Sequence, residues 1–467
     1  MALDTKYLRY PTDYNLVTLN LITPLKNGTV NLKPFMLEFN LFEDIYSSTI
    51  SGEVVLNDAL GLISSYLLNG TEFIQIQLQK TSQGGATFSR NYRVYKIGKR
   101  VTGDSNNFEV YVLNFISEEF LISEQNRLSK SYNGKQIDFI INDILTNYVK
   151  TQKKLDIDST VGPYNFVLPN KKLFETINWL STYARTTNEG ADVLFYENST
   201  GYQFKSLQNL FKQSPYQTFK FDPKNTNETD MNQKLTNALD FEILDFFDTL
   251  SATTNGTFSN KVITFDVLTR KLNTTDGVFD YSKYNGTTLN KNPLTNISGG
   301  YKNRLGQTMY DPTRTVVAGL EVGALRMASG NSMEKKNAYV AQGPDAVAND
   351  IYIEKYVPNR VAQLGLANYM RIKLTVPGDP GLCAGQTVNF NTYAIEPVSF
   401  SQSGSNSLRE PDPFYSGKYL VSAVRHSVKN NAYISVIELI KDSVSTNYSA
   451  VDSTDPTFTQ LINGVQI

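Results

Sequence analysis

From residue 30 to 118, polar and apolar residues alternate with few interruptions. TVNLKPFMLEFNLF, SGEVVLND, TEFIQIQLQ, YRVYKIGKRV and FEVYVLNFIS each predict a strand with one buried face. Glycine-bearing turns at Gly70 and Gly84-Gly85 separate them. The period then changes. In GKQIDFIINDILTNYVK the apolar residues fall at Ile137, Ile140, Ile141, Ile144, Leu145 and Tyr148, a single helix stripe. NKKLFETINWLSTYAR predicts a second helix, capped by Asn170 after Pro169, with Phe174, Ile177, Leu180 and Tyr183 on its apolar face. ADVLFYE and GYQFKSL predict a hairpin closing a small α/β unit. TNALDFEILDFF and NKVITFDVLTRKL are strand-like, and PNRVAQLGLANYM predicts a short helix with Pro358 in its first turn. Strands resume from Lys373 to Ile440, while 222–237 and 272–345, rich in Asn, Thr, Gly and Lys, read as loops or an irregular insertion.

Two distant hairpins share a pattern. In YRVYKIGKRVTGDSNNFEVYVLNFIS and KYLVSAVRHSVKNNAYISVIELIK, Val94, Ile97 and Val101 match Val421, Val424 and Val428 at one constant offset. Val110, Val112, Phe115 and Ile116 match Ile434, Val436, Leu439 and Ile440 at a second. Between them each turns at an Asn pair, Asn106-Asn107 and Asn430-Asn431, and Asn tolerates the left-handed backbone of tight hairpins. Upstream, Asp58, Gly61, Leu62 and Gly70 correspond to Asp379, Gly381, Leu382 and Gly385. The pattern predicts a duplicated β unit. In KLTVPGDPGLCAGQTVNF, Lys373 to Phe390, the glycines and prolines then make a structural corner around Gly378, Pro380 and Gly385. The lone Cys383 reads as a small buried hydrophobe, because the matching corner has no cysteine.

At 467 residues the chain calls for roughly three domains of about 150 residues. Lys and Arg number 44 against 45 Asp and Glu, with no basic cluster, so nothing favours tight duplex binding. The start, MALDTKYLRYPTDYNL, lacks the order of a signal peptide, and no apolar run is long enough to insert in a membrane. One cysteine excludes a disulfide framework and fits synthesis in a reducing compartment. Nine Asn-x-Ser/Thr sequons read as chance in an Asn-rich chain.

Little here points to chemistry. His426 is the only histidine, so no multi-histidine metal site exists, and it reads as a satisfied strand residue rather than a partner of Cys383. GYKNRLGQ and GKQ match no nucleotide-binding loop, and no cofactor is expected. Two acidic runs could supply a carboxylate pair for glycoside hydrolysis. They are Glu118, Glu119 and Glu124, and Asp240, Glu242, Asp245 and Asp248. The plainer reading is a solvated or interface edge, or an acidic lumen wall that repels passing DNA. Trp179, the only tryptophan, reads as core.

Over residues 38–215 the chain resembles the baseplate hub proteins of T-even-type contractile-tailed phages, especially their marine relatives. It also resembles, more distantly, late-control protein D and the hub half of type VI secretion spike proteins. The strings are LFEDIYSSTISGEVVLND, NGTEFIQIQL, FEVYVLNFISEE, RLSKSYNGKQIDFIINDIL, YNFVLPNKKLFETINWLSTYAR and YENSTGYQFKSL. The likeness returns at Gly378, Pro380, Leu382, Gly385 and Val388, then at Gly417, Tyr419, Val421, Val424 and His426, but not in 272–345. The resemblance implies an α+β, mainly β fold: two related β-barrel ring domains with an α/β domain and an irregular insertion between them. The expected divisions are 1–118 for the first barrel, 119–215 for the α/β domain, and 216–270 with 346–442 for the second barrel. An insertion at 271–345 and a C-terminal tail at 443–467 complete them. It further implies a non-enzymatic homotrimer in the virion's tail baseplate, assembled in the host cytoplasm. Such a pseudo-sixfold ring would join hexameric tail-tube rings to a trimeric central spike, with or without a lysozyme domain, and would contact baseplate wedge proteins. DNA would pass its lumen without specific binding during genome ejection. The alternatives are a tail-associated cell-wall hydrolase using Glu118 or Asp240, and a host-glycan adhesin suggested by the Tyr and Asn content.

Overall fold

A computed structural model describes residues 12, 14–26, 28–80, 87–103, 108–186, 190–222, 230–266, 271–273, 277–281, 286–293, 305, 307, 311, 313–319, 353–393, 411–412 and 414–445. Its largest element is a 13-stranded sheet. The N-terminal part supplies β1 (Tyr14–Thr23), β2 (Gly28–Asn31), β3 (Met36–Asp44), β4 (Ser51–Asp58), β5 (Phe73–Lys80), β6 (Thr87–Thr102) and β7 (Glu109–Ile116). Later segments supply β8 (Thr218–Phe221), β9 (Asp240–Phe246), β10 (Met370–Pro377), β11 (Thr387–Thr392), β12 (Gly417–Lys429) and β13 (Ala432–Lys441). The order is β9-β10-β13-β12-β3-β4-β7-β6-β5-β1-β2, with β11 between β12 and β8.

The sheet curls around two cores. Alternation sets each strand's inner face: along β10, Met370, Ile372, Leu374 and Val376 are buried while Arg371 and Lys373 point outward. Each such buried side chain contributes about 1.5–3 kcal/mol. The first core gathers Leu19, Phe39, Val54, Ile74, Tyr92 and Phe115, and the second Phe219, Ile372, Val388, Phe390, Tyr419 and Leu439. The second barrel closes where Ala238 donates its N–H to the Lys220 carbonyl at 2.7 Å, bringing β8 beside the start of β9.

The α/β unit packs helices Glu118–Gln125, Ile137–Asp143 and Leu173–Ser181 on a small sheet. In that sheet Lys154–Ile157 runs parallel to Gly201–Ser206, which pairs antiparallel with Val193–Asn198. Ile137, Ile140, Ile141, Ile144 and Leu145 are all buried, as their spacing requires, whereas Tyr148 at the end of the predicted stripe is exposed. Trp179 packs edge-on against Phe166 and Tyr183.

Three expectations are corrected. Asn170 does not cap its helix: Lys171 and Lys172 first pair with Leu128 and Arg127, so the helix opens only at Leu173 and Asn170 takes the left-handed turn before, at φ +50°. Pro358 lies inside helix Ile353–Ala367 rather than in its first turn; its carbonyl accepts from Asn260 Nδ2 at 3.1 Å. Strand Ser259–Asp266 does not join the second barrel. It centres a separate sheet with Lys271–Asn273, Val278–Asp280 and Arg314–Gly319, against which that helix packs through Ala362 and Leu366. Alternation marks a strand's buried face but not its neighbour, which is why this partner was missed. Among the described residues no helix is long and apolar enough to cross a membrane.

Candidate assembly interface

The two hairpins noted in the sequence sit in the same four-strand order, β4-β7-β6-β5 and β10-β13-β12-β11. Their registers agree as well. Val94 faces Phe115 and Ile97 faces Leu113, while Val421 faces Leu439 and Val424 faces Ile437. Both ladders slip at one matching place, Tyr95 in β6 and Ser422 in β12. They diverge toward the turn. A second irregularity around Lys99, whose φ is +50°, sets Val101 opposite Val110, whereas Val428 lies opposite Tyr433. Asn430 and Asn431, at φ +51° and +59°, make the two-residue turn between β12 and β13. Asn106 and Asn107 lie outside the described residues.

The corners before β5 and β11 are also alike. Gly70 and Gly385 adopt φ of +91° and +87°. Asp58 Oδ1 accepts from the Leu60 N–H at 2.8 Å, and Asp379 Oδ1 from that of Gly381 at 3.0 Å. Gly378 donates its N–H to the Tyr433 carbonyl, and a Cβ there would lie 2.1 Å from the Tyr433 ring. Pro380 is buried. So is Cys383, whose Sγ lies 3.7 Å from Asn198 Nδ2; burial pushes its thiol well above the usual range, which keeps it from acting as a nucleophile.

The second corner is a three-way junction. The Ala384 N–H donates to Glu43 Oε2 on β3 at 3.0 Å, and the Ala384 carbonyl accepts from Asn198 of the α/β unit at 2.9 Å. Burial, with Glu197 nearby, pushes the Glu43 carboxyl up to about 8. Glu197 in turn accepts from Ile50 N at 3.0 Å, Thr49 Oγ1 at 3.1 Å and Ser117 Oγ at 2.9 Å, and pairs with Lys153 at 2.7 Å. Lys153 also pairs with Glu119 at 2.7 Å. Sequence reasoning passed over Glu43, although it falls in phase with the buried Phe39 and Leu41 of β3.

The barrels themselves join through β12 and β3, paired from Ala423–Asp44 to Lys429–Glu38. Arg425 and Lys429 reach Glu38 at 3.1 and 2.8 Å, and Arg425 Nε donates to Asn40 Oδ1 at 3.0 Å. Val428 and Tyr433, from the tip of the second hairpin, complete the first core.

Most of the remaining candidate groups are held in structural contacts. His426 is buried, with Nδ1 2.8 Å from the Tyr433 hydroxyl and 3.2 Å from Ser435 Oγ. Glu118 and Glu119 open helix Glu118–Gln125, and Glu124 pairs with Lys172. Asp240 stands exposed on β9, Glu242 pairs with Lys373, Asp245 with Arg371, and Asp248 caps helix Thr249–Asn255. Among the described residues no group of three His, Cys, Asp or Glu is placed to hold a metal ion.

No family model matches the chain. It is 19% identical over 409 residues to a probable baseplate hub protein of Vibrio phage KVP40, a match covering 86% of this chain and 89% of that one. Its fold is similar to the 43 kDa tail protein of prophage MuSo2 from Shewanella oneidensis, with a TM-score of 0.51 and 8% identity, over 92% of this chain and 99% of that one. A tail protein from Neisseria meningitidis MC58 aligns with a TM-score of 0.48 and 9% identity, over 91% and 96% of the two chains. In sequence the chain thus resembles a phage baseplate hub protein over most of its length, and in fold a prophage tail protein.

Proposed function

We propose that this protein is the structural hub of a contractile-tail baseplate, a homotrimeric ring that joins the tail tube to the central spike. One observation carries the reading: a single chain holds the same four-strand unit twice, in matched register, fused through the β12–β3 ladder. Three chains would present six such units, which suits a sixfold tube ring on one face and a threefold spike on the other. The α/β unit, locked to both barrels by Glu197 and the Ala384 corner, would brace the ring toward spike and wedge proteins. The lumen would conduct DNA without specific contacts, and the role is non-enzymatic. An obligate trimer interface of this kind buries upward of about 2,000 Å² in total.

The test is the mass of the purified chain in solution, with micrographs of the same sample. A trimer seen as a ring supports the reading. A monomer at micromolar concentration with no ring overturns it.

A further inference from the structure

The β12–β3 ladder has a bare counterpart in the same chain. β12 is a shared strand: Gly417–Leu420 pairs with β11, and Ala423–Lys429 pairs with β3 of the other barrel. Its match in the first barrel is β6, where 87–93 pairs with β5 but Lys96–Thr102 has only β7 beside it among the described strands. The match of β3 is β9. Each precedes and pairs antiparallel with a matched strand, Phe39 opposite Val54 and Phe241 opposite Leu374, and β9 ends the sheet.

Exposure separates the covered pair from the bare one. Ser427 is 5% exposed and Val101, which holds its place in β6, is 64% exposed; Leu41 is 2% exposed and its counterpart Ile243 42%. Around Ile243 the exposed apolar residues run on through Leu239, Leu244, Phe247 and Leu250. An edge of this kind, left open, recruits another strand. Charge agrees: β6 carries Lys96 and Lys99 beside Arg100, which pairs with Glu109, and β9 carries the exposed Asp240 beside Glu242 and Asp245, which pair with Lys373 and Arg371, just as Arg425 and Lys429 meet Glu38 inside the chain.

We propose that Lys96–Gly103 of one copy pairs antiparallel with Asp240–Phe246 of the next, repeating between chains the ladder that β12 makes with β3 within each. Transferring the internal register, with the extra β6 residue near Lys99 allowed for, sets Val101 opposite Glu242, as Ser427 lies opposite Asn40, and Gly103 opposite Asp240, as Lys429 lies opposite Glu38. The contact is head-to-tail. Each chain offers one β6 edge and one β9 edge, so a ring of three closes with every edge paired and all six barrels linked alike. This rests on the trimeric reading above and names the surface that would build it.

The experiment is oxidative cross-linking of the full chain carrying Val101→Cys with Glu242→Cys, or Gly103→Cys with Asp240→Cys, alongside each single substitution. The native Cys383 is buried and stays out of the reaction. The ladder gives covalent dimer and trimer bands with the paired substitutions only. A double variant that has trimer mass in solution yet forms no cross-link in either pair overturns the ladder while leaving the trimer standing; a monomeric unmodified chain sinks the trimer itself. Should the cysteines prevent assembly, charge reversal decides: Glu242→Arg lowers trimer affinity about tenfold or more, and adding Val101→Glu restores it. Absence of that rescue counts against the proposal.

Discussion

Val94 and Val421 hold one position in two hairpins. The Val94 N–H donates to the Glu72 carbonyl at 3.0 Å, and the Val421 N–H to the Gln386 carbonyl at 2.9 Å, each acceptor lying just beyond a left-handed glycine. Each valine is followed by a slip in the ladder to its partner strand. Corner, strand entry and bulge therefore recur as a unit, and the repeat is one of backbone constraint rather than of side chains alone.

The two glycines of that unit should respond unequally to substitution. A Cβ at Gly70 meets its nearest atom at 3.9 Å, so Gly70→Ala carries mainly the cost of a left-handed alanine, about 1–2 kcal/mol. At Gly385 the Cβ would fall 2.1 Å from the hydroxyl of Tyr196, which is itself buried. Gly385→Ala should therefore cost about 3 kcal/mol or more, and Tyr196→Phe in the same chain should recover part of it. Urea unfolding of the three variants measures the difference; equal losses at the two glycines contradict the clash.

The polar lock between the first barrel and the α/β unit gives a second prediction. Lys153→Met leaves the Glu197 carboxylate, 1% exposed, without its counter-ion, at a cost of about 3–5 kcal/mol. Adding Glu197→Gln removes the stranded charge and keeps acceptors for Ile50 N and Thr49 Oγ1. The double variant should thus be more stable than Lys153→Met alone in the same unfolding assay. A simple sum of two losses refutes the coupling.

Much of this was legible in the chain itself, and the exceptions share a cause. Alternation exposed the strands, and the helix stripe at Ile137–Leu145 lies in the core as its spacing demands. The hairpin repeat could be seen because both ladders slip at the same first step, which keeps Val94 and Ile97 in register with Val421 and Val424; the second slip near Lys99 puts Val101 out of step with Val428. What stayed hidden was edge choice. Nothing in the spacing of Ser259–Asp266 reveals that Arg314–Gly319 lies beside it, and nothing in β12 shows that its far half leaves one barrel for the next. Those outcomes depend on long-range closure, where faces are encoded locally and neighbours are not. Glu43 is a different case, since a carboxylate in phase with Phe39 and Leu41 was a readable sign of a buried charge site.

That buried carboxyl supplies the third prediction. Burial raises the Glu43 group from 4.5 to about 8. Its favourable contribution to folding is then complete below about pH 4.5 and is lost as pH rises through 8, because ionisation inside the junction is unfavourable. Glu43→Gln imitates the neutral form. It should change stability little at pH 5 and raise it by about 2–4 kcal/mol at pH 9, read as a shift in the urea midpoint. A gain at pH 5 equal to that at pH 9 rejects the assignment.

His426 acts in the opposite sense. Burial beside Tyr433 lowers its imidazole to about 4, although the carboxylate of Asp379 pulls the other way. A base whose folded value is depressed keeps its full contribution above the unfolded value near 6.5 and loses it as pH falls toward 4, since only the unfolded chain takes up the proton in that window. Asp192 and Asp442, raised to about 6 by burial, change with the reverse sign nearby, so the wild-type profile alone mixes the effects. Comparison with His426→Asn separates them, because the chain has no other histidine. The variant should be less stable than the wild type at pH 7, having lost the contacts to Tyr433 and Ser435, and the gap should narrow by about 2–3 kcal/mol between pH 6.5 and 4. Urea midpoints at half-unit steps of pH measure this directly, and a gap that stays constant over the window shows that the imidazole titrates normally in the folded chain.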